Sequence, residues 1–422
     1  MDLPGKRPNR PNLRHLRAFS LTVKDRNISR AAEAAHITQS AVSQAVAKLE
    51  LFYGCRLLDR GSSGVYPTDL GRVAVERIDR ALDRLRTATQ RVCALRGLRP
   101  SNPAAPDRMV TLAQLAAFAA TAQAGGFKAG GRLLGISQPS VHRAVRQLQD
   151  LLGVELLEYT SLGFAPTRVG ADFAAAAALI LKEIDLIADD LDEARGHHRG
   201  RVAIGSLALG RSELVPRAVA RVARAFPEAH FLIQDGTYDQ LVHGLRSGDL
   251  DLMVSAARPL ATDDIVDLPL FEDALAVVAR ADHPLVAKGR VSLEDLGRFG
   301  WVLPRRGTPT RRRCDALLEA AGATRSGGMI ETGALVSVRG LLLESDRLSV
   351  LSRRQIALEL ETGLLAALDV PLPEPVRTIV ATYRQDWKPT QVQAAVLAEL
   401  QAITAAWTRA DALSVGGGQG GT

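Results

Sequence analysis

The chain has 422 residues, of which 46% are hydrophobic and 23% are charged, and its formal net charge is +7. Because single domains run to roughly 100–200 residues, we expect more than one domain and sizeable cores. No apolar run reaches the ~20 residues of a membrane span, and no apolar signal-peptide core follows the N-terminus, so a cytoplasmic protein without a membrane partner is predicted.

The three cysteines, Cys55, Cys93 and Cys314, are far apart and form no CxxC pair. This spacing supports neither a zinc finger nor a disulfide framework. We interpret them as small buried hydrophobic residues and predict neither a metal site nor a cofactor.

The positive charge lies in the first quarter of the chain. Residues 1–108 carry 20 Lys and Arg against 10 Asp and Glu, whereas residues 109–199 and 200–422 have net charges of −2 and −1. Clustered positive charge indicates a surface that binds phosphate groups, such as those of nucleic acid. The alternative is a solvated, Arg-rich face.

A winged helix-turn-helix is predicted over residues 11–70, after a basic tail at 1–10. An amphipathic helix begins at Leu13, an alanine-rich helix begins at Ile28, and Thr38 caps a third helix that Gly54 ends. The wing has its tip at Gly61 to Gly64. The residues expected to read bases or hold phosphate are Thr38, Gln39, Ser40, Ser43, Gln44 and Lys48, with Arg60 on the wing. The alternative is an alanine-rich helical hairpin that binds nothing.

A long linker helix is predicted over residues 71–97, followed by a Pro-rich linker at 98–109. The residues of one face are spaced alternately three and four apart and all but one are apolar, which is typical of a coiled-coil seam. They are Val75, Ile78, Leu82, Leu85, Thr89 and Val92. Because the other faces carry many arginines, we favour dimerisation with a second chain over packing against the protein's own core.

The pattern recurs 99 residues later without a gap, which indicates a duplicated domain. A second winged helix-turn-helix is therefore predicted over 110–169, with a second linker helix over 170–197. Its polar recognition face consists of Ser137, Gln138, Ser140, His142, Arg143 and Arg146.

The two copies are not equivalent. Gly130 and Gly131 replace two alanines and weaken a helix, because glycine costs about 1 kcal/mol at an interior helical site. Tyr159 replaces Arg60, and the net charge of the second copy is not positive. Because phosphate neutralisation supplies most non-specific affinity, we expect the first copy to bind DNA more strongly. The second copy binds weakly, reads a second half-site, or serves in assembly.

The run AAEAAHITQSAVSQAVAKLE, followed by G-x-x-LL-x-R and P-T-x-x-G, resembles the N-terminal domain of LysR-type transcriptional regulators. The run GGFKAGGRLLGISQPSVHRAVRQLQ in the second copy resembles it too. Members of this family usually carry one such domain, so the tandem arrangement is a departure. The resemblance implies double-stranded promoter DNA as a partner, and RNA polymerase if the protein is an activator.

Residues 200–411 alternate predicted strands and helices, which favours a parallel, doubly wound sheet. The resemblance implies an effector-binding domain with two α/β lobes, similar to periplasmic solute-binding proteins. We expect lobe I at 200–262 and 366–411, lobe II at 263–365, and a flexible tail at 412–422.

In such a cleft, strand ends face helix N-termini, where free N–H groups favour anions. The candidates for hydrogen bonding to the effector are Ser206, Thr237, Thr308 and Thr332, and Arg211 or Arg306 is a candidate partner for a carboxylate. The alternative for each is an ordinary helix cap. The run ETGALVSVRGLLLESDRLSVLSR resembles regulators of sugar or aromatic-acid catabolism.

The sequence thus predicts a multi-domain chain. Two mostly-α winged helix-turn-helix domains with long linker helices precede an α/β, two-lobed, periplasmic-binding-protein-like effector domain. The predicted function is that of a LysR-type regulator, controlled by a small molecule and assembled as a dimer or tetramer through its linker helices. One alternative is a cytoplasmic solute-sensing protein whose helix-turn-helix copies serve assembly. The other is an enzyme, against which the absence of G-x-S-x-G, HExxH and Walker motifs argues.

Overall fold

The computed structural model describes residues 10–61, 64–94, 106–161, 163–207, 210, 212–259, 262–322 and 328–416, with side chains as far as 409. The chain divides into two compact units. The first comprises Met1–Arg201 with Glu228–His230 and Arg246–Asp249, and the second comprises the remainder. No helix in the described part is long and apolar enough to cross a membrane.

The first unit begins with three helices and a hairpin. The elements are α1 (Leu13–Asp25), α2 (Ile28–Ala35), α3 (Gln39–Tyr53), β1 (Leu58–Gly61), β2 (Gly64–Pro67) and α4 (Asp69–Ala94). His36 ends α2 in the left-handed region at φ 56°, and Gly54 ends α3 at φ 62°. Strands β1 and β2 pair antiparallel as the predicted wing. Ser62 and Ser63, at its tip, lie outside the described residues.

The same order of elements then recurs. The elements are α5 (Pro106–Met109), α6 (Leu112–Ala124), α7 (Phe127–Leu134), α8 (Gln138–Leu152), β3 (Leu157–Thr160), β4 (Gly163–Pro166) and α9 (Arg168–Ala194). The end of the predicted Pro-rich linker therefore forms one helical turn, and residues 97–105 lie outside the described residues.

The glycines of α7 fit close contacts. A Cβ on Gly131 would lie 2.8 Å from the Ile136 carbonyl oxygen, and one on Gly130 would lie 3.1 Å from the Thr121 nitrogen. The expected weakening of this helix is thus offset by closer packing, which the sequence pattern did not reveal.

One hydrophobic cluster runs through both copies of the first unit. It joins Leu16 and Phe19 of α1 to Phe118 of α6 and Phe173 of α9. The rings of Phe118 and Phe173 are 5.8 Å apart. Because apolar burial is the main favourable term in folding, a shared core makes the two copies one body.

The start of each linker helix is fixed by the P-T-x-x-G motif. The Thr68 hydroxyl donates to the Arg56 carbonyl and accepts from the Gly71 N–H, both at 2.9 Å. Thr167 bonds in the same way to Glu155 and Gly170, at 3.1 and 3.0 Å. Each linker helix therefore begins against the strand of its own wing.

Strands and helices alternate after residue 200. The strands are β5 (Arg201–Ser206), β6 (His230–Gln234), β7 (Leu252–Ala256), β8 (Ile265–Arg280), β9 (Trp301–Leu303), β10 (Met329–Glu331), β11 (Ser349–Ser352), β12 (Leu365–Leu368) and β13 (Val376–Arg384). The helices are α10 (Leu214–Ala225), α11 (Tyr238–Ser247), α12 (Pro284–Lys288), α13 (Leu293–Leu296), α14 (Pro309–Ala320), α15 (Leu335–Leu343), α16 (Ala357–Glu361) and α17 (Gln391–Gly416).

The main sheet of the second unit is mixed, not wholly parallel as predicted. Its order is β11-β8-β13-β7-β5-β6, with β12 on β8. Strands β5 and β7 are parallel, whereas β13 runs antiparallel to β7 and β8. The sheet is mixed because β8 leads away from the first part of the sheet and β13 returns to it in the opposite direction.

The pairing of strand β8 differs from the predicted lobe boundaries. Its residues 265–274 pair with β13, and residues 275–280 pair with β11 and β12. The division therefore falls inside a continuous strand near Ala274, not at residue 263. Residues 365–368 pair with the far half of β8, although lobe I was predicted to resume at 366. Helix α17 runs to Gly416, past the predicted start of the tail at 412.

We expect Gly71→Ala to destabilise the first unit, because a Cβ there would lie 2.0 Å from the Leu57 carbonyl oxygen. Overpacking of this kind lowers the free energy of unfolding by about 2–3 kcal/mol. Urea unfolding followed by far-UV circular dichroism measures the loss. Gly61→Ala is the matched control, since the nearest atom to its Cβ lies 3.9 Å away. Equal effects of the two substitutions would contradict this packing.

Candidate nucleic-acid interface and effector site

Helix α3 presents a polar face opposite its buried one. Val42, Val46 and Leu49 pack into the core. The predicted DNA-contacting residues lie on the other side: Thr38, Gln39, Ser40, Gln44, Lys48 and Arg60 are exposed and Ser43 is half-buried. The Thr38 hydroxyl accepts from the Ala41 N–H at 3.2 Å, so Thr38 caps the helix as predicted. This face offers amide, hydroxyl and ammonium groups to a ligand.

A concavity of about 230 Å³ lies between α3 and the wing, lined by Ser43, Arg56 and Arg60 among others. Glu50 closes its inner end, where its carboxylate accepts the N–H groups of Leu57 and Leu58 at 2.8 and 3.2 Å. The charge at Glu50 is thus used to hold the wing strand on the recognition helix.

Helix α8 presents the corresponding face of the second copy. The residues predicted there, Ser137, Gln138, Ser140, His142, Arg143 and Arg146, are all exposed. Gln138, His142, Arg143 and Arg146, with Pro139, form one open face of α8. Gln149 holds the wing as Glu50 does, because its amide oxygen accepts from Leu156 and Leu157 at 3.0 and 3.1 Å.

An aromatic stack distinguishes the second copy. The His142 ring lies 4.9 Å from Phe127, which lies 4.7 Å from Phe164, which lies 5.5 Å from the exposed Tyr159. The first copy has Ser43 and Arg60 at the positions of His142 and Tyr159. Its wing therefore offers a cation where the second offers an aromatic ring.

The apolar seam of α4 faces α9 of the same chain. Ile78, Leu85 and Val92 belong to one buried cluster with Ile180 and Ile184 of α9. The prediction that this seam faces a second chain is therefore wrong, and packing against the protein's own core is correct. A heptad pattern shows that a helix has a partner but does not show which helix it is.

A buried ionic cluster lies within this helix pair. Arg77 is 1% exposed and donates to Asp190 at 2.8 and 3.3 Å and to Glu183 at 3.0 Å. Arg80 donates to Glu183 at 2.9 and 3.1 Å, and Arg84 lies 3.6 Å from it. The sequence reasoning missed this cluster because it placed these arginines on solvated faces. The signal was the pair of acids seven residues apart on α9.

The arginines determine the ionisation of Glu183. Burial alone would raise the pKa of this carboxyl group, but the hydrogen bonds from Arg80 and the charge of Arg77 outweigh burial and lower the pKa below its ordinary value. Burial would likewise lower the pKa of Arg77, but Asp190 and Glu183 raise it. Both groups are therefore charged in the folded chain at neutral pH.

Three predicted effector ligands act as local caps. Thr237 and Gln240 bond reciprocally at 2.8 and 3.3 Å before α11. Thr308 caps α14 through the Arg311 N–H and donates to the Arg305 carbonyl. The Thr332 hydroxyl accepts from the Ala334 N–H at 3.2 Å. The alternative left open by the sequence, an ordinary cap, describes these hydroxyls.

The other predicted ligands differ in exposure. Ser206 is fully buried at the end of β5, where its hydroxyl lies 3.3 Å from the Leu207 carbonyl oxygen. Arg306 is exposed, with its Nε 3.9 Å from Glu331. Arg211 lies outside the described residues. Because β9 and β10 are parallel, Arg306, Thr308 and Thr332 come to the same edge, around Glu331.

Sequence reasoning missed Arg258, which follows β7. Its guanidinium carbon lies 4.1 Å from the centroid of the Tyr238 ring, and its Nε is buried with no hydrogen-bond partner among the described residues. Burial lowers the pKa of this guanidinium and outweighs Tyr238 and Asp239, which raise the pKa, while the charge of Arg312 lowers it further. Arg258 and Arg312 thus lie near the N-terminal turns of α11 and α14, with the carboxylate of Asp239 beside Arg258. Two cations and two helix N-termini against one carboxylate favour an anionic ligand.

No group of three or more His, Cys, Asp or Glu residues in the described ranges is arranged to hold a metal ion.

Two family models match the chain. The first, described as the bacterial regulatory helix-turn-helix protein of the lysR family, matches residues 13–72 and again 112–171. The second, described as the LysR substrate binding domain, matches residues 195–404.

Among known proteins, the chain is 33% identical over 370 residues to the HTH-type transcriptional regulator GalR of Pseudomonas putida, covering 87% of this chain and 91% of GalR. It is 26% identical to the regulator PcaQ of Agrobacterium fabrum, covering 67% of this chain and 92% of PcaQ. A solved structure of a full-length OxyR variant from Pseudomonas aeruginosa has a TM-score of 0.54 at 23% identity, and covers 70% of this chain and 94% of that one. This last similarity concerns the fold.

We expect Glu183→Gln to remove an acid-sensitive contribution to stability. Because the pKa of Glu183 is lowered on folding, its ionisation stabilises the fold above its ordinary pKa, and this contribution disappears as the pH falls through the lowered value. At neutral pH the free energy of unfolding should fall by about 3 kcal/mol, since Arg77 and Arg80 lose a buried partner. Urea unfolding of the full chain over a pH series, followed by circular dichroism, measures the difference.

The control is Glu158→Gln, because Glu158 is exposed on β3. A difference between Glu183→Gln and the unsubstituted chain that persists unchanged into acid would show that the charge of Glu183 does not stabilise the fold.

Proposed function

This chain belongs to the LysR family of DNA-binding transcriptional regulators, and from that premise we propose that it reads promoter DNA with two unlike winged helix-turn-helix copies. The chain is a DNA-binding regulator with a C-terminal effector-binding domain, and family members are transcriptional regulators that form oligomers. We further propose that the two N-terminal copies are a tandem duplication, that the residues named below contact DNA, that the effector is a small anion, and that the protein is cytoplasmic.

The observation that carries the proposal is the exposed polar face of α3. Beside it lies a concavity between α3 and the wing, lined by Ser43 of the helix and Arg60 of the wing. An α-helix of this kind fits the major groove, where glutamine and serine side chains reach base edges. The proposed contacts are Thr38, Gln39, Ser40, Ser43, Gln44 and Lys48 to bases or nearby phosphates, and Arg60 to phosphate. Residues 1–108 supply the positive charge that draws this copy to DNA.

The second copy contributes a weaker set of contacts to an adjoining half-site. The proposed residues are Ser137, Gln138, Ser140, His142, Arg143 and Arg146. Arg143 and Arg146 supply cations, although residues 109–199 have a net charge of −2. Because counterion release scales with the number of phosphates neutralised, this copy adds less salt-dependent affinity than the first.

The C-terminal domain takes a small anionic effector between two α/β lobes, as in periplasmic binding proteins. Arg258 is its proposed carboxylate partner, because its buried Nε lacks a hydrogen-bond partner among the described residues and Tyr238 supports the guanidinium. Ser206 and Thr237 follow β5 and β6 of the main sheet, whereas Thr308 and Thr332 follow β9 and β10 of a separate two-stranded sheet. We propose all four as hydrogen-bonding partners of the effector, with Arg211 and Arg306 as further cationic candidates. A sugar acid or an aromatic acid fits this chemistry, and RNA polymerase is the further partner if the protein is an activator.

We expect Gln44→Ala to lose sequence discrimination more than overall affinity. A side chain that bonds a base edge contributes about 1–3 kcal/mol of discrimination against the wrong base. Binding of the full chain to its selected DNA and to single-base variants, measured by fluorescence anisotropy, gives this quantity. Arg143→Ala, at the equivalent position of the second copy, should act on the other half-site. Equal loss on every DNA sequence would show that Gln44 reads no base.

We expect Arg258→Ala to abolish stabilisation by a carboxylate effector. The probe is a panel of aromatic and sugar acids with their uncharged amide or alcohol analogues, screened by thermal shift of the full chain. A charge-assisted hydrogen bond contributes about 1.5–3 kcal/mol, so affinity for the active acid should fall at least tenfold. Arg224→Ala, on an exposed turn of α10, is the control. Undiminished binding by Arg258→Ala would exclude Arg258 as the carboxylate partner.

A further inference from the structure

The ionic cluster between the linker helices joins positions that differ between the two copies. With the offset of 99 residues, Glu183 and Asp190 correspond to Arg84 and Arg91 of the first copy. Arg77 and Arg80 correspond to Ala176 and Leu179 of the second copy. Each side of the cluster therefore exists in only one copy.

A pair of first copies from two chains would bury charges of one sign. In the observed pair, Arg77 contacts positions 183 and 190, both acidic. In a pair of first copies, those positions are Arg84 and Arg91, so Arg77 would face arginines while nearly inaccessible to water. The two-fold symmetry of such a pair would repeat the conflict. Buried charges of like sign are strongly unfavourable, so this pairing is disfavoured.

A pair of second copies meets the opposite problem. Glu183 is 6% exposed, and in such a pair Ala176 would replace Arg77 and Leu179 would replace Arg80. The acids would be buried without the hydrogen-bond donors that they have in the observed pair. Complementary charge therefore exists only between unlike copies.

Three further contacts join the copies, and the first two share this asymmetry. Arg10 donates two hydrogen bonds to Asp185 at 2.7 and 2.6 Å, where the first copy has Arg86 in place of Asp185. Arg17 lies 3.1 Å from Asp107, and its counterpart is Ala116. Arg195 donates to the Tyr53 carbonyl at the end of α3 at 3.1 Å. The last contact ties the end of the first recognition helix to the second linker helix.

We infer that the linker-helix interface accepts only unlike copies, so that one chain supplies both members of a DNA-binding pair and by itself occupies two dissimilar half-sites. The pairing stands on the contacts of the first unit alone, whereas the half-sites rest on the proposed DNA-binding function. Because the seam is filled within the chain, association of whole chains uses other surfaces.

The first test is hydrogen exchange of the full chain carrying Glu183→Arg with Asp190→Arg, which places the residues of the first copy in the second. Protection of α4 and α9 should fall by about 100-fold or more, because a buried charge that has lost its partner is strongly destabilising. Asp150→Arg with Asp172→Arg is the control, since it makes the same change in charge at exposed positions of the second copy. Equal protection in the two variants would overturn the inference.

Reversing the charges on both helices distinguishes a loss of charge complementarity from a general loss of packing. Adding Arg77→Glu, Arg80→Glu and Arg84→Glu to the first variant restores opposite signs across the interface. We expect about tenfold or more of the lost protection to return, since opposite charges then face each other again. If the reversal lowers protection further, the apolar seam and not the charges selects the partner, and the inference fails.

Dilution tests whether the pairing lies within one chain. A contact within a chain is unimolecular, so protection of α4 and α9 should stay constant over a dilution of about 100-fold. Protection that falls with dilution would show exchange of linker helices between chains and would overturn the single-chain pairing.

The DNA test is selection of sequences from a random duplex pool by the full chain. We expect a motif of two dissimilar half-sites, bound with one chain per pair of half-sites by native mass spectrometry. A palindromic motif occupied by two chains would overturn the inference, because it requires equivalent copies. If no sequence is enriched, the proposed DNA reading fails, and the exchange and dilution measurements still decide the pairing.

Discussion

A buried guanidinium requires acids at fixed positions, and this constraint holds the first unit together. The guanidinium of Arg77 is buried between α4 and α9, where Asp190 and Glu183 accept hydrogen bonds from it. Its N–H donors have fixed directions, so the acids must lie at fixed positions. Breaking such a pair costs more than forming it contributes, so the cluster acts chiefly by excluding other arrangements. The apolar seam around it supplies the burial that favours folding. The charges determine which two helices share that seam.

The positions of the two recognition helices follow from this pairing. Each linker helix begins against its own wing through a threonine cap and a glycine, and each wing is held to its recognition helix by Glu50 or Gln149. A continuous series of helices and hydrogen bonds therefore connects the Arg77 cluster to both recognition faces. The copies use one scaffold for different chemistry: Arg60 lies on one wing, and Tyr159 with its aromatic stack lies on the other. This difference supports the proposal that the chain reads two unlike half-sites.

The second unit depends on one long strand. Strand β8 pairs with β13 along its first half and with β11 along its second half, so one continuous strand joins the two parts of the second unit. The threonines at strand ends are committed to helix caps, which keeps the surrounding loops in place. Arg258 and Arg312 bring positive charge to the same region. The threonines that cap helices here and the arginines that we propose as partners for a carboxylate are therefore different residues.

The sequence by itself determined the local elements, the repeat and the family. Caps at Thr38 and Gly54, the wing between β1 and β2, and the exposed face of α3 follow from local preferences that need no distant partner. Only the tertiary structure decided what the seam of α4 contacts, why Arg77 is buried, where β8 divides the second unit, and that the buried Nε of Arg258 has no hydrogen-bond partner among the residues the structure describes. Each of these depends on residues far apart in the chain, and a periodic pattern carries no information about which distant surface fills it.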